Sequence, residues 1–151
     1  GGSAKDLYEE GVKLSFEQWG AGSATAYLAD NTSTEKNYVD PISEYGGDVS
    51  AVSNITIKWD DSATDEQKME RLITQKWIAM FPNGQEGWSE IRRTGYPKVF
   101  PLAQSTDYSI QVANRIPFDI DEATNNKANY IKAVQLLKGN DDYATKMWWQ
   151  R

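Results

Sequence analysis

Apolar residues recur at helical spacing in three segments of the chain, and the ends of these segments carry recognisable caps. The first segment runs from Ser3 to Gly20 and has one apolar face at helical spacing, formed by Tyr8, Val12, Phe16 and Trp19. Ser3 is a candidate N-cap, since the acidic Asp6 follows three residues later, and Gly20 is a candidate stop. Gly11 lies in mid-helix, where glycine is unfavourable, and predicts the close approach of a neighbouring helix.

The second segment, "TDEQKMERLITQKWIAM", is the strongest helical pattern in the sequence. Thr64 and Gln67 have the spacing of a capping box. The apolar stripe behind them consists of Met69, Leu72, Ile73, Trp77 and Met80. The sequence Pro-Asn-Gly at positions 82–84 ends this helix, and "QEGWSEIRRTG" predicts a short second helix that ends at Gly95. The two helices are predicted to form an αα-hairpin.

The third segment predicts one helix from Thr124 to Lys138, ended by Gly139. Residues 21–63 are rich in turn-forming residues and predict loop, except that "SNITIKW" alternates like a short strand or extended segment. Residues 96–121 contain three prolines and predict an extended loop. The pattern as a whole therefore predicts a mainly α fold with long irregular loops and little β structure.

Composition narrows the possible functions. The chain of 151 residues predicts one domain, 1–151, and its net charge of −6 argues against a nucleic-acid partner. It contains no cysteine and no histidine, which excludes thiol nucleophiles, histidine-based triads and ordinary zinc sites within the chain. No cofactor or metal site is assigned. Residues 119–126 begin like a calcium loop, but Ala123 and Thr124 stand where a ligand and a glycine are expected, and the sequence leaves a bound calcium ion open. Gly1 and Gly2 are interpreted as a purification-tag remnant on a piece of a longer protein.

The stretch "FPNGQEGWSEIRRTGYP" places carboxylates beside arginines and an indole. Glu86 and Glu90 lie four residues apart, the spacing of a possible acid–base pair of a glycosidase. However, Arg93 follows Glu90 by three residues, which favours a structural ion pair. We therefore predict no hydrolase activity and a pairing of Arg93 with Glu90 or Glu86. We also predict that the side chains of Trp77 and Trp88 are mostly buried. The residues assigned to this structural corner are Trp77, Glu86, Trp88, Glu90, Arg92 and Arg93.

Four stretches closely resemble the C-terminal signature of the SusD/RagB family, in the family's order. These stretches are "LYEEGVKLSFEQWG", "ITQKWIAMFPNGQEGWSEIRRTGYP", "NRIPFDIDEATNNKANYIKAV" and "GNDDYATKMWW". The resemblance is weak only over residues 21–63. It implies a tetratricopeptide-like helical fold, of which this chain resembles the last third. Arg115 matches a structural arginine of the family, whereas Asn114 and Asp119 depart from the family's pattern, so that one basic anchor of the loop is missing.

The resemblance also implies a function. Family members are lipoproteins on the outer surface of the outer membrane, anchored through an N-terminal lipid. They capture glycans, deliver them to a SusC-like TonB-dependent porin and carry out no chemistry. The partners expected here are therefore a glycan, that porin and the N-terminal remainder of the same protein. Three loop aromatics are candidates for stacking on sugar: Tyr38, Tyr45 and Trp59.

A second function remains open from the residues themselves. The chain could be a helical module that binds protein rather than sugar, and an exposed apolar face on the first helix would favour this alternative. Exposed aromatic side chains in the loops would favour sugar binding instead.

Overall fold

The computed structural model describes residues 2–42, 47–101 and 112–150, and the chain divides into two compact units, Gly1–Phe100 and Pro101–Arg151. The prediction of a single domain over 1–151 stays a prediction. The described residues form the helices α1 (Ala4–Gln18), α2 (Thr25–Leu28), α3 (Asp65–Ala79), α4 (Gly84–Thr94), α5 (Ile120–Asn125) and α6 (Lys127–Leu137). They form no strand, and the isolated bridge Tyr38–Val49 is their only β pairing. A mainly α fold with little β structure is thus confirmed.

Helix α1 begins and ends where its caps predict. The Ser3 hydroxyl accepts a hydrogen bond from the Asp6 amide at 3.1 Å, and the Asp6 carboxylate accepts one from the Ser3 amide at 3.0 Å. This reciprocal pair satisfies two of the amides that a helix N-terminus leaves unbonded. Gly20 follows the C-cap with a φ of 62°, a left-handed conformation that glycine adopts without strain.

The core of the first unit lies between α1, α2 and the extended residues 53–59, which we call the strap. Tyr8 and Val12 of α1 pack with Ala24 and with Trp59 of the strap, and the Tyr8 and Trp59 rings lie 5.3 Å apart. The Tyr8 hydroxyl donates to the carbonyl of Ile57 at 2.5 Å. The strap is therefore attached to α1 through one aromatic side chain that packs and hydrogen-bonds together.

Helix α3 attaches the strap from its other side. The capping box predicted for Thr64 and Gln67 is present, with an amide-to-hydroxyl distance of 3.2 Å. The buried residues of α3 are Glu70, Arg71 and Ile73, whereas Met69 of the predicted stripe is 38% exposed. The helix is thus rotated relative to the predicted stripe, because Glu70 and Arg71 bond to the strap. Those bonds also explain why the alternating strap residues pair with no second strand among the described residues.

Helix α4 follows α3 in the predicted hairpin and ends at Gly95, which has a φ of 80°. The Asn83 side chain caps its start by accepting from the Glu86 amide at 3.2 Å. Residues after the hairpin return to α3, since the Tyr96 hydroxyl donates to Glu66 at 2.9 Å and the Lys98 ammonium lies 3.4 Å from Glu70. The α3 carboxylates therefore attach the first residues after the hairpin to α3.

In the second unit, the single helix predicted from Thr124 to Lys138 is instead two helices, α5 and α6, joined at Asn126. The Asp119 carboxylate caps α5 by accepting from the Asp121 amide at 2.9 Å, so helical structure begins earlier than predicted. Lys138, with a φ of 55°, ends α6 one residue before the predicted stop. Gly139 serves a packing role, because a Cβ there would lie 3.0 Å from the Thr145 side chain.

Part of α1 is not covered by the described residues of its own unit. Leu7, Leu14 and Trp19 are 64%, 55% and 53% exposed. A groove of about 320 Å³ between α1 and α3 is lined by Gly11 together with Leu7, Leu72 and Ile78. A Cβ on Gly11 would meet no described residue within 4 Å, so the predicted close approach of a neighbouring helix is not found among the described residues. In the described residues Gly11 opens onto the groove.

No described helix is long and apolar enough to cross a lipid bilayer.

We predict that the isolated chain self-associates through residues 7–19, because contiguous exposed apolar surface tends to find a partner. Replacing Leu7 and Leu14 by lysine should shift sedimentation toward the monomer at millimolar concentration. The matched control is Lys5→Gln and Lys13→Gln on exposed positions of the same helix. A wild-type chain that sediments as a strict monomer at this concentration would contradict the prediction.

Candidate functional site

The corner between α3 and α4 is organised around one buried carboxylate. Glu90 is 4% exposed, and its Oε1 accepts from the Lys76 ammonium at 2.7 Å. Its Oε2 accepts from the Arg93 guanidinium at 2.6 Å, and the Arg93 Nε lies 3.3 Å from Oε1. The pairing of Arg93 with Glu90 is therefore confirmed. The sequence pattern missed Lys76, which comes from the other helix and links α3 to α4.

This arrangement makes Glu90 a structural anion rather than a catalytic acid. Burial raises the pKa of the Glu90 carboxyl, but hydrogen bonds from Arg93 and Lys76 outweigh burial, and the pKa is lowered overall. A general acid of a glycosidase needs the opposite shift, a raised pKa that keeps its proton. Glu86 lies exposed in the first turn of α4. Glu90 thus has the environment of a structural ion pair, whereas Glu86 has that of a surface residue.

The two tryptophans of the corner are less buried than predicted. Trp77 is 41% exposed, so the prediction of a mostly buried side chain is wrong, and Trp88 is half-buried. One edge of Trp77 packs on Gly87, where a Cβ would lie 3.0 Å from the indole Nε1. The guanidinium of Arg92 lies 4.0 Å from the centroid of the Trp88 ring, a cation–π contact. Trp77 therefore packs on α4 with one edge and keeps part of its ring accessible.

The open side of Trp77 faces a cleft of about 410 Å³ in the first unit, which we call the aromatic cleft. Its apolar wall includes the rings of Tyr27, Trp77 and Phe100. Three charged side chains line it, from Glu35, Arg71 and Lys98. A mostly apolar cavity of this size with a few polar groups has the character of a small-molecule site.

The polar groups of the aromatic cleft are fixed by the backbone around them. The Glu35 Oε2 accepts from the amides of Val52 and Ser53 at 2.6 and 2.8 Å. The buried Glu70 accepts from the Ser53 hydroxyl at 2.6 Å and pairs with Lys98. The Arg71 Nε donates to the carbonyl of Thr56 at 2.9 Å. Sequence patterns did not single out Glu35, Glu70 or Arg71, because their roles depend on the path of the strap.

The three residues predicted to stack on sugar differ in burial and position. Trp59 is only 8% exposed, with its ring against Tyr8 and its Nε1 donating to Asp61 at 2.9 Å. Its assignment as an exposed stacking residue is therefore corrected, since a core ring offers no free face. Tyr38 is 47% exposed and its ring lies 6.2 Å from that of Phe100, at the edge of the aromatic cleft. Tyr45 lies outside the described residues.

Arg115 is the structural centre of the second unit. It is 7% exposed, and its Nη1 donates to the Asp141 carboxylate at 2.5 Å and to the Asp142 carbonyl at 3.3 Å. Its guanidinium also lies 4.9 Å from the Phe118 ring centroid. Asp141 further accepts from the Phe118 amide at 3.1 Å. Burial raises the pKa of Asp141, but the bonds from Arg115, Phe118 and Tyr130 lower it overall.

Asn114 replaces the missing basic anchor by another set of bonds. Its Nδ2 donates to the carbonyl of Ala144 at 2.7 Å, and its Oδ1 accepts from Gln150 at 2.9 Å. Its backbone amide donates to the carbonyl of Tyr143 at 2.9 Å. Residues 114–118 therefore have a defined path along the C-terminal segment without a second arginine.

No group of acidic side chains suited to a metal ion occurs among the residues that the structure describes.

Comparison with known proteins gives a consistent result. The family model "SusD-like: Susd and RagB outer membrane lipoprotein" matches residues 1–150. A SusD-like protein from Bacteroides thetaiotaomicron is 46% identical over 99% of this chain, with a TM-score of 0.83. A chitin-binding SusD homologue from Flavobacterium johnsoniae is 44% identical over 99% of this chain, with a TM-score of 0.82. A search of curated proteins found no match.

The chain spans about a third of the length of these solved homologues, since it covers 32% of the chain in both structures. A second SusD homologue from Bacteroides thetaiotaomicron, 40% identical with a TM-score of 0.85, is covered to 34% of its chain while all of this chain aligns.

The first prediction from this geometry concerns Glu90. Glu90→Gln should lower the free energy of unfolding by about 1–2 kcal/mol, because it weakens charge-assisted bonds whose partners are half exposed. Since the folded-state pKa of Glu90 is lowered, its contribution is present above the unfolded value of about 4.3 and lost as the pH falls through the lower folded pKa. Urea unfolding of both proteins should therefore converge at low pH. Glu86→Gln is the matched control, and an equal loss in both variants would contradict this reading.

The second prediction concerns the buried pair in the other unit. Arg115→Met should cost about 3–5 kcal/mol, because it leaves the Asp141 carboxylate buried without its cation. The pair stabilises the fold above the unfolded aspartate pKa of about 3.9, and this contribution declines as the pH falls through the lower folded value. The double variant Arg115→Met with Asp141→Leu should recover much of the loss in urea unfolding at pH 7. A double variant no more stable than the single one would refute a specific role for the pair.

Proposed function

This chain belongs to the SusD/RagB family of outer membrane lipoproteins, and from that premise we propose that it is part of a glycan-binding protein of a cell-surface nutrient uptake system. The observation that carries the proposal is the match over residues 1–150 together with a chitin-binding homologue that is 44% identical. The aromatic cleft supports it, because Trp77 and Phe100 line it and aromatic rings suit the apolar face of a sugar ring.

The proposal extends to the surroundings of the protein. Residues 1–151 form the C-terminal portion of a longer lipoprotein that is held on the cell surface by a lipid at its distant N-terminus. The longer protein passes its glycan to a SusC-like TonB-dependent porin. The remainder of the same polypeptide and the porin are thus two protein partners beside the glycan.

The protein acts by binding and carries out no reaction of its own. The charged corner that resembles an acid–base pair supports this, since the Glu90 carboxylate is bonded to two cations and its pKa is lowered. A lowered pKa removes the proton that acid catalysis of glycoside cleavage requires.

A second function is favoured by the uncovered face of α1. Leu7, Leu14 and Trp19 are more than half exposed and lie on a helix beside an apolar groove. A helical module that binds protein without sugar binding of its own would use such a face. The two functions are compatible, because a nutrient-binding lipoprotein also contacts protein partners.

The test is glycan-array binding by the full-length protein and by this chain, side by side, followed by calorimetry on the glycans retained. We expect the full-length protein to bind, and Trp77→Ala to weaken its affinity at least about tenfold through loss of a stacking ring. Tyr38→Ala at the edge of the cleft should have a smaller effect. Trp19→Ala is the matched control, because Trp19 is similarly exposed but does not line the cleft.

Three results would contradict parts of the proposal. Absence of any glycan bound by the full-length protein would remove the sugar-binding function and leave the interaction module. Binding that survives Trp77→Ala but is lost in Trp19→Ala would place the sugar elsewhere than the aromatic cleft. Reducing sugar released from a bound oligosaccharide, and abolished by Glu86→Gln or Glu90→Gln, would contradict the absence of catalysis.

A further inference from the structure

Arg71 is the charged side chain of the aromatic cleft that forms no hydrogen bond or salt bridge with a carboxylate among residues 2–42, 47–101 and 112–150, although the Asp60 carboxylate interacts with it at longer range. It is 5% exposed, its Nε bonds to the Thr56 carbonyl at 2.9 Å, and its Nη1 is buried without a hydrogen-bond partner. The nearby Glu70 carboxylate is engaged by Ser53 and Lys98 instead. The buried guanidinium beside the cleft therefore keeps hydrogen-bonding capacity that the described residues do not satisfy.

A buried guanidinium with an unbonded N–H group lowers the stability of the protein when no ligand is bound. A buried charge costs free energy unless it is paired, and a buried donor without an acceptor adds to that cost. The guanidinium fork matches the two oxygens of a carboxylate, which it binds with two parallel hydrogen bonds. The acceptor that would relieve the cost most completely is thus a carboxylate brought by the ligand.

The other charges of the cleft do not compete for this role. The Glu35 oxygen that lies nearest the backbone already accepts from two amides, and Lys98 faces Glu70 at 3.4 Å. The chain as a whole has a net charge of −6, which repels an anion at long range. At physiological ionic strength such repulsion is screened beyond about 8 Å, so the charges that line the cleft decide what binds there.

The remaining wall of the cleft suits the ring of a sugar. Trp77 lines the cleft with the part of its indole that Gly87 does not cover, and Phe100 lines it as well. Aromatic rings of this kind pack against the apolar C–H face of a pyranose. The volume of about 410 Å³ is within the range of small-molecule sites.

We propose that the aromatic cleft binds an acidic sugar residue, with the sugar carboxylate paired to Arg71 and the sugar ring stacked on Trp77. This inference rests on the proposed glycan-binding function and specifies the class of glycan: one that contains uronic acid residues rather than a neutral polymer.

The test is calorimetry of the full-length protein with three forms of one oligosaccharide. These are tetragalacturonate, its methyl ester and its carboxyl-reduced neutral form, and chitotetraose serves as a second neutral glycan. We expect tetragalacturonate to bind at least about tenfold more tightly than the ester and the reduced form, because only the acid supplies an anion to Arg71. The comparison uses the unmodified protein, so it remains decisive even if an Arg71 variant fails to fold.

Variants then assign the effect to Arg71. Arg71→Met should bring the affinity for tetragalacturonate down to that for the ester, with little change for the ester itself. The control Lys13→Gln removes the same charge from an exposed position on α1 and should change neither affinity. Equal affinity for acid and ester, or tight binding of chitotetraose alone, would overturn the acidic-sugar inference and leave glycan binding intact. Binding of none of the four would overturn the acidic-sugar inference, and the glycan array would then decide glycan binding in general.

Discussion

The first unit depends on the pairing of the charged side chains that helix α3 turns inward. Glu70 bonds to Ser53 of the strap and to Lys98 beyond the hairpin, and Lys76 bonds to Glu90 of α4. Each bond joins α3 to a segment more than ten residues away in the sequence. Since a buried charge is tolerated only with a partner, these contacts set the positions of the strap, of α4 and of the segment after it.

Local signals in the sequence predict the helices well. Capping at Ser3 and Thr64, the stop at Gly95 and the Arg93–Glu90 pair all depend on residues within four positions of one another. Contacts between residues far apart in the sequence could not be predicted from these local signals. The rotation of α3 could not be predicted, because Glu70 and Arg71 are buried only through the strap, which lies more than ten residues away.

The aromatic residues illustrate the same limit. Trp59 and Trp77 both belong to amphipathic patterns, and either could have been core or surface. Trp59 is buried because Tyr8, far away in sequence, supplies a ring to pack on. Trp77 stays partly open because its neighbour across the hairpin is Gly87, which admits only one edge of the indole. Exposure of an aromatic ring is therefore decided by its tertiary neighbour rather than by its own spacing.

Arg115 and Arg71 are both buried, but their guanidinium groups differ in the partners that they have. Both are buried to a similar degree, at 7% and 5% exposure. Arg115 has a carboxylate at 2.5 Å and a ring beside it, an arrangement that accounts for its burial by stability alone. Arg71 has a backbone carbonyl for one nitrogen and an orphaned Nη1 beside a cleft. Chains are locally consistent except where function requires otherwise, so a buried guanidinium nitrogen without a hydrogen-bond partner supports the proposed ligand at this cleft.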